Sequence, residues 1–408
     1  MDTSMTWTAL DIGTTKICAI IASTNKAGEI EIRGIGKVAS AGLSKAMIVD
    51  AAQAAKAIKE AVSLAEQQAH ITADSIYLGI SGSHITSINS EGVIALKNKE
   101  VRQRDIDAVI NAAKAIPLPE GQQILHALPQ YFVIDGNHIV SNPLHMHGVR
   151  LQAYVHIIAG EVTAIENLVR CCEMAGLMVK DIVLEPIASA EATLTVDEKE
   201  LGAGILDIGG GTADFAIYHH GTIRHTKIIP IAGNMFTNDL AICLKTTKGE
   251  AERLKKEFGT VLIDEFMQDI PLAIQSLDHD RTHLISTKDI AYILQARAEE
   301  LLEKVAHEIT TYALGQYMAG GLIVTGGGSL VRGFALYAEQ YLGVSVRLAS
   351  PRFINTGIHK DIESPLYATS YGLLLYPYLE REHTLKTYEG TVMNKVFGRM
   401  RSWVYDLF

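Results

Sequence analysis

The sequence predicts a two-lobed α/β protein built from an internal duplication, with a smaller α/β unit inserted into the first lobe. The duplication is visible as one strand–turn–strand pattern that occurs around Asp11 and again around Asp207, about half the chain apart. A third glycine turn follows an apolar run within residues 321–328. An internal repeat indicates a duplicated architecture more strongly than any single motif does.

The most informative turn has the sequence DIGGGT and lies between apolar runs at residues 203–206 and 215–218. Glycines let backbone N–H groups approach a ligand closely, and successive inward-pointing N–H groups make an anion nest that suits phosphate. Asp207, at the end of the strand, can hold a hydrated Mg²⁺ ion. Taken alone, the pattern is also that of an ordinary tight hairpin. The residues that the phosphate interpretation uses are Gly209, Gly210, Gly211 and Thr212.

The second copy is DIGTTK near the N-terminus, again between two apolar runs. Residues 29–32 continue this copy as a third strand, as residues 222–225 continue the other. Two such hairpins predict two similar lobes that face one nucleotide, each with a phosphate turn. The residues that the first turn contributes are Asp11, Gly13, Thr14, Thr15 and Lys16.

The third cluster, VTGGGS, is typical of a strand, a glycine turn and the start of a helix. Ser329 is predicted to be the N-cap of that helix. Backbone without side chains can lie flat against an adenine or a ribose, and neither a P-loop nor a Rossmann fingerprint is present. The residues assigned to the nucleoside are Gly326, Gly327, Gly328 and Ser329.

In this order the three motifs resemble those of the actin, Hsp70 and sugar-kinase superfamily, where they are the phosphate-1, phosphate-2 and adenosine motifs. The resemblance implies an actin-like ATPase fold of two duplicated ribonuclease-H-like domains. It also implies that ATP and Mg²⁺ are the cofactors, with Asp11 and Asp207 holding the metal through water.

Composition limits the class of partner. The 408 residues carry 36 Lys and Arg against 46 Asp and Glu, a net charge of −10 that argues against nucleic acid. The four cysteines form no CxxC pair and predict buried thiols in a reducing compartment. We find no signal peptide and no apolar run of about 20 residues, so we expect a soluble or peripherally bound protein.

After the first hairpin, Asp50 is predicted to cap an alanine-rich helix, and residues 75–80 to form a buried strand. Residues 85–165 have the pattern of a separate α/β unit, with a helix at 102–115 and strands at 92–96, 123–133 and 151–159. The loop with His145 and His147 is interpreted as polar rather than metal-binding, because no acidic or cysteine cluster accompanies it.

Two acidic positions admit two interpretations each. Glu185 follows a strand at residues 179–184, and in actin relatives such a residue lies opposite the γ-phosphate, where with Asp207 it would be catalytic. The alternative is a helix N-terminus with Pro186 in its first turn. Glu252 and Lys255 resemble the Ala-Glu-x-x-Lys element that reaches ribose and adenine, but their i, i+3 spacing is equally that of a surface ion pair.

The C-terminal residues predict a membrane-binding helix. Residues 380–390 are polar and predict a flexible linker. In the division of the chain into domains, we assign residues 386–390 to this linker. Residues 391–408 combine apolar side chains at helical spacing with basic ones, as in helices that lie in the bilayer interface, where anionic lipid adds about 1 kcal/mol per basic residue. The alternative is a helix docked on the protein's own core. The residues assigned to the membrane are Val396, Phe397, Arg399, Met400, Arg401, Trp403, Val404, Leu407 and Phe408.

The ATP motifs, the inserted unit and the basic tail together resemble the FtsA family of actin-like bacterial cell-division proteins, over essentially the whole chain. The resemblance implies four subdomains. They are 1A (residues 1–84, 166–198 and 361–385), the SHS2-like insert 1C (85–165), 2A (199–233 and 310–360) and 2B (234–309).

The same resemblance implies that ATP gates polymerisation, with slow hydrolysis at most. The tail would anchor FtsZ filaments of the Z ring to the cytoplasmic face of the inner membrane at midcell, and later division proteins would be recruited. The FtsZ C-terminal tail would bind subdomain 2B, where Arg297 is predicted to contact it. The rival classes are a small-molecule kinase of the same superfamily and a pilus-assembly relative, neither of which needs a lipid-seeking tail.

Overall fold

The computed structural model of the chain describes residues 5–25, 29–263, 267–277, 282–352 and 360–387. The segment before the inserted unit contains the first predicted hairpin, which a third strand extends. Asp50 caps the helix that follows by accepting a hydrogen bond from the N–H of Gln53, as predicted. The elements are β1 (Thr6–Ile12), β2 (Lys16–Thr24), β3 (Ile30–Ala39), β4 (Leu43–Ser44), β5 (Met47–Ile48), α1 (Ala51–Ala69) and β6 (Ser75–Ile80).

The inserted unit has a four-stranded antiparallel sheet and a hydrophobic core of its own, covered on one face by a helix. Its elements are β7 (Ile85–Ala95), α2 (Gln103–Lys114), β8 (Gln122–Ile134), β9 (His138–Val140) and β10 (Arg150–Glu161). β7 is longer than the strand predicted at residues 92–96, because its polar first half packs against the second lobe. There Ser87 donates to the carbonyl of Thr226, and His156 of β10 lies 2.9 Å from the Thr226 hydroxyl.

The chain then returns to the first lobe and crosses to the second through a short helix. These elements are α3 (Val162–Met174), β11 (Met178–Leu184), α4 (Glu185–Thr193) and α5 (Val196–Leu201). The second lobe follows with β12 (Ala203–Ile208), β13 (Ala213–His219), β14 (Thr222–Ile229), α6 (Gly233–Cys243), α7 (Lys248–Phe258), β15 (Pro271–Gln275), β16 (Thr282–Ser286), α8 (Thr287–Thr311), β17 (Leu322–Thr325), α9 (Phe334–Leu342) and β18 (Val346–Leu348). The last helix of the described residues is α10 (Ala368–Thr387).

The two lobes share one topology. The first sheet has the order β3–β2–β1–β6–β11 and the second has the order β14–β13–β12–β17–β18. In each sheet three antiparallel strands are followed by two parallel ones. The duplication predicted from the two turns therefore extends to the strand order and direction of both sheets.

The structure corrects two sequence predictions here. Residues 380–387, predicted as part of a flexible linker, belong to α10, which continues through Pro377. Proline removes one backbone hydrogen bond from a helix, but buried residues at 371–376 hold α10 on the first lobe. The prediction of buried cysteines is wrong for Cys243, which is exposed.

The rest of the predicted linker and the predicted membrane helix lie outside the described residues. Within the described ranges, no helix is long and apolar enough to cross a bilayer.

Candidate functional site

The two predicted phosphate turns have the same backbone geometry. In the turn after β1, the N–H of Gly13 donates to the carbonyl of Lys16 at 3.0 Å. In the turn after β12, the N–H of Gly209 donates to the carbonyl of Thr212 at 2.9 Å. The two turns that repeat in the sequence are therefore closed by the same backbone hydrogen bond.

The second turn is also fixed by α6. The N–H groups of Gly233 and Asn234 donate to the carbonyls of Gly209 and Gly210 at 3.0 Å and 2.8 Å. The turn cannot move without these bonds breaking, so α6 and the phosphate turn form one mechanical unit.

The two turns face each other in direct contact. A Cβ added to Gly210 would lie 2.3 Å from Thr15 Cγ2, and one added to Gly211 would lie 2.3 Å from Thr14 Oγ1. Real Cβ atoms do not approach so closely, and a packed interior does not absorb the overlap without strain. Glycine is therefore required in the second turn by the first turn, and not only by a ligand.

The third glycine turn packs against the end of β12. Gly326 has φ of +84°, and a Cβ there would lie 2.2 Å from Asp207 Oδ1. The prediction for Ser329 as a helix N-cap is wrong: residues Gly327–Leu330 form a 3₁₀ turn, and α9 starts later with Gly333 as its N-cap. The buried Ser329 hydroxyl donates to the carbonyl of Gly326, within its own turn.

The three turns line one cavity of about 590 Å³ between the lobes. Among its lining residues are 16 of those predicted from the sequence. These are Asp11, Gly13, Thr14, Thr15, Lys16, Glu185, Asp207, Gly209, Gly210, Gly211, Thr212, Glu252, Lys255, Gly326, Gly327 and Gly328.

Each of the two predicted aspartates is held by buried hydroxyl groups. Ser370 donates to Asp11 Oδ2 at 2.7 Å. Thr369 donates to Asp207 Oδ2 at 2.8 Å, and Ser189 of α4 donates to the same oxygen. Burial raises the pKa of Asp207, and these hydroxyl donors act in the opposite direction.

Two further carboxyl groups share the cavity. Burial, followed by the charges of Asp11, Asp214 and Asp207, raises the pKa of Glu185 well above its ordinary value. Burial and then the charge of Asp207 raise the pKa of Asp214 to about 8. Glu185 begins α4, with Pro186 in the first turn, so the helix-start interpretation is confirmed and the residue also lines the cavity.

Lys16 faces this negative charge. Its ammonium group pairs with Asp11 and lies 3.4 Å from the Ser370 hydroxyl. Burial by itself lowers the pKa of Lys16, but Asp11 and the other acidic groups outweigh that effect and raise it. Four buried carboxyl groups with one paired lysine repel one another when ionised, and this set of oxygen donors fits a hard divalent cation such as Mg²⁺.

At the other end of the cavity, Glu252 and Lys255 form the ion pair that their spacing predicts, with Nζ 2.7 Å from Oε2. The pair lies in the cavity rather than on the surface, and the Lys255 side chain is only 11% exposed. Its Nζ also donates to the Gly233 carbonyl at 3.0 Å and to the Thr237 hydroxyl at 2.8 Å. This end of the cavity therefore combines a fixed cation with bare backbone.

Several lining or supporting residues were missed by sequence reasoning. Asp214 stands opposite Asp207 in the β12–β13 register, and Ser81 donates to it at 2.8 Å. Pairing of the two predicted hairpin strands across the turn could have identified Asp214. Nothing local in the sequence marks Ser189, Thr369 or Ser370, since only packing of α4 and α10 beneath the turns brings them to the aspartates.

The remaining predicted site residues lie elsewhere. Arg297 of α8 forms a bidentate ion pair with Asp239 of α6 and a second ion pair with Glu300. Its predicted contact with a partner stays a prediction. In the part of the chain described, no three His, Cys, Asp or Glu side chains converge to hold a metal ion directly. The predicted membrane residues lie outside the described ranges.

Two duplicated sheets around a cavity lined by three glycine turns define an actin-like protein, and solved structures confirm this fold. PilM from the PilM–PilN type IV pilus biogenesis complex superposes with a TM-score of 0.65 at 17% identity, covering 90% of this chain and 97% of that one. MreB5 of Spiroplasma citri bound to ADP superposes with a TM-score of 0.55 at 17% identity, covering 94% and 98%.

Sequence comparison narrows the class further. Family models for Cell division protein FtsA and for the SHS2 domain inserted in FTSA match residues 204–372 and 82–159. Cell division protein FtsA of Pseudomonas aeruginosa is 38% identical over 367 residues, 90% of this chain and 88% of that protein. The Neisseria meningitidis FtsA is 36% identical over 406 residues, 98% of each. The chain belongs to the FtsA family of cell division proteins.

Proposed function

We propose that the protein binds Mg·ATP in the cavity and uses the nucleotide to gate its assembly into a membrane-bound filament. The observation that carries this proposal is the contact between the two phosphate turns. Gly210 and Gly211 of one lobe lie against Thr15 and Thr14 of the other, so a ligand with several phosphate groups can bind both lobes at once. The neighbouring MreB5 structure, which contains ADP, supports the same site.

In this proposal the phosphates bind the two turns and Lys16, and the nucleoside lies against Gly326–Gly328 with Glu252 and Lys255 beside it. Asp11 and Asp207 hold Mg²⁺ through water, and the metal neutralises the phosphate charge. The buried hydroxyl groups of Ser189 and Thr369 fix the orientation of the Asp207 carboxylate. The subdomains are divided as the sequence resemblance implies.

Hydrolysis is proposed to be slow. Glu185 is the residue that would orient the attacking water, and it must be ionised to accept a proton from that water. Burial and the neighbouring carboxyl groups raise the pKa of Glu185 and so disfavour its ionised form, which positive charge in the cavity would favour. Nucleotide binding, rather than turnover, is then the main signal that sets lobe closure.

The assembled filament is proposed to attach FtsZ to the cytoplasmic face of the inner membrane at midcell. Residues 391–408 supply an apolar face for the bilayer and basic groups for anionic lipid. Many aligned tails convert a weak contact into strong binding. The FtsZ C-terminal tail binds subdomain 2B near Arg297, and later division proteins use other surfaces.

The test is co-sedimentation with vesicles that contain anionic lipid, with and without Mg·ATP and purified FtsZ. The full chain should sediment with the vesicles and carry FtsZ with it, and Mg·ATP should increase both. A variant that ends at Glu389 should lose lipid binding but keep nucleotide binding. Equal sedimentation of the two proteins would contradict the membrane part of the proposal.

A further inference from the structure

The beginning of α10 bonds to both lobes through two consecutive residues. Ser370 donates to Asp11, which belongs to the first lobe, and Thr369 donates to Asp207, which belongs to the second. Ser370 is fully buried and Thr369 is 8% exposed. A carboxylate can only accept hydrogen bonds, so both hydroxyl groups are committed as donors.

The rest of α10 is fixed to the first lobe and to α4. The N–H of the Trp7 side chain, on β1, donates to the carbonyl of Leu374 at 3.0 Å. At the crossing with α4, a Cβ on Gly372 would lie 1.7 Å from the carbonyl oxygen of Ala188. This close backbone contact leaves α10 no room to shift toward α4.

These facts make Thr369 the residue of α10 that reaches across the cleft, where Ser189 of α4 donates to the same Asp207 oxygen and lies 3.1 Å from the Thr369 hydroxyl. Consecutive Cα atoms are about 3.8 Å apart, so both hydroxyl bonds form only while Asp11 and Asp207 keep their present separation. If the lobes rotate apart, α10 stays with Asp11 and the first lobe, and the bond from Thr369 to Asp207 breaks. The two hydrogen bonds from Thr369 and Ser370 therefore form together only in the closed arrangement.

We propose that Thr369 is a positioning residue that couples closure of the cleft to the order of α10. It orients the carboxylate of Asp207 in the closed state, and the same bond stabilises the first turns of α10. The proposal rests on the proposed nucleotide function, because it takes nucleotide binding as the event that favours closure. It adds a route from the cavity to Thr387, the last residue of α10, after which the predicted membrane-binding segment continues.

The test uses the full chain and hydrogen exchange of amides in residues 368–376, with and without Mg·ATP, together with the Kd for a fluorescent ATP analogue. In the wild type, Mg·ATP should slow this exchange by about tenfold, the effect of one hydrogen bond to a charged group. Thr369→Val should abolish most of that slowing and weaken the nucleotide by about tenfold. Thr369→Ser, which keeps the hydroxyl, should restore both.

Thr193→Val is the matched control, since Thr193 is also buried but its hydroxyl donates to the Ser189 carbonyl within α4. It should leave the nucleotide effect on α10 unchanged. If the wild type binds the analogue but exchange in α10 does not respond, the inference is wrong while the nucleotide site stands. If the wild type does not bind the analogue, both this inference and the proposed nucleotide site are wrong. The wild-type comparison decides even if Thr369→Val does not fold.

Discussion

Gly211 in the turn after β12 lies so close to Thr14 in the turn after β1 that a Cβ on Gly211 would sit 2.3 Å from the Thr14 hydroxyl oxygen. The two residues belong to different lobes, so their contact measures how far the cleft is closed. Any side chain at this glycine must hold the lobes apart.

Gly211→Ala should therefore weaken Mg·ATP binding by about 5- to 160-fold, because overpacking of this kind costs about 1–3 kcal/mol in the closed state. The measurement is titration with a fluorescent ATP analogue. Gly249→Ala is the control, since its nearest non-adjacent atom is 4.0 Å away, in open space at the start of α7. A Gly211→Ala protein with wild-type affinity would show that the turns separate when nucleotide binds.

The buried carboxyl groups predict a pH dependence of stability for the nucleotide-free protein. The pKa of Asp214 is raised to about 8 in the folded state, so the folded state binds a proton that the unfolded chain has lost. Stability from this group is full at pH values below the ordinary carboxyl pKa and falls as the pH rises toward 8. Glu185 and Asp207 act in the same direction.

Asp214→Asn should remove part of this slope and raise the Tm at pH 9 by roughly 2–4 °C, the shift for about 1 kcal/mol in a domain of 150–250 residues. An amide oxygen can still accept the bond from Ser81. Thermal unfolding at pH 6 and pH 9 is the measurement. The control variant is Asp197→Asn, because Asp197 is exposed. If Asp214→Asn and the wild type lose stability in parallel, Asp214 is ionised across this range.

The aspartates of the two turns should matter for metal binding as well as for stability. Asp11→Asn together with Asp207→Asn leaves the buried Lys16 without its anionic partner, so the nucleotide-free protein should unfold at a lower temperature. Affinity for ATP should fall, and its enhancement by Mg²⁺ should disappear, because the metal loses both carboxylates. Calorimetric titration of ATP with and without Mg²⁺ tests this, and unaltered affinity for Mg·ATP would contradict the site itself.

Arg297 has two roles to separate, since its guanidinium pairs with Asp239 and is also predicted to contact the FtsZ tail. Arg297→Ala should weaken binding of an FtsZ C-terminal peptide by about tenfold, as a contact worth roughly 1 kcal/mol or more does at an interface. Asp239→Asn breaks the internal ion pair but keeps the arginine charge, so it should leave peptide affinity unchanged or higher. If both variants weaken the peptide equally, Arg297 only holds α8 against α6.

The sequence predicted most of the cleft because its parts are local. A glycine turn between two apolar runs specifies a hairpin by itself, and DIGTTK and DIGGGT did so for the turns that the structure brings together. The helix start at Asp50 was predicted for the same reason, since an N-cap depends on residues within one turn. Ser329 failed as a cap because a 3₁₀ turn with its own hydrogen bonds follows the strand before α9 begins.

Contacts between distant segments could not be predicted in this way. Thr369 and Asp207 are far apart in the chain, and neither belongs to a motif that names the other. Pro377 and the polar residues after it indicated a linker, but buried packing on the first lobe keeps α10 helical to Thr387. The raised pKa of Asp214 could not be predicted from the sequence either, because it results from burial beside Asp207.

The sequence by itself determined the duplication, the three glycine turns and the basic apolar tail, because each is set by residue types at short spacing. Only the tertiary structure decided that the two phosphate turns touch, that four carboxyl groups share one cavity, and that the start of α10 bonds to both lobes. Those features depend on how two sheets and their helices pack against each other. Such packing brings together side chains whose separation in the chain carries no signal.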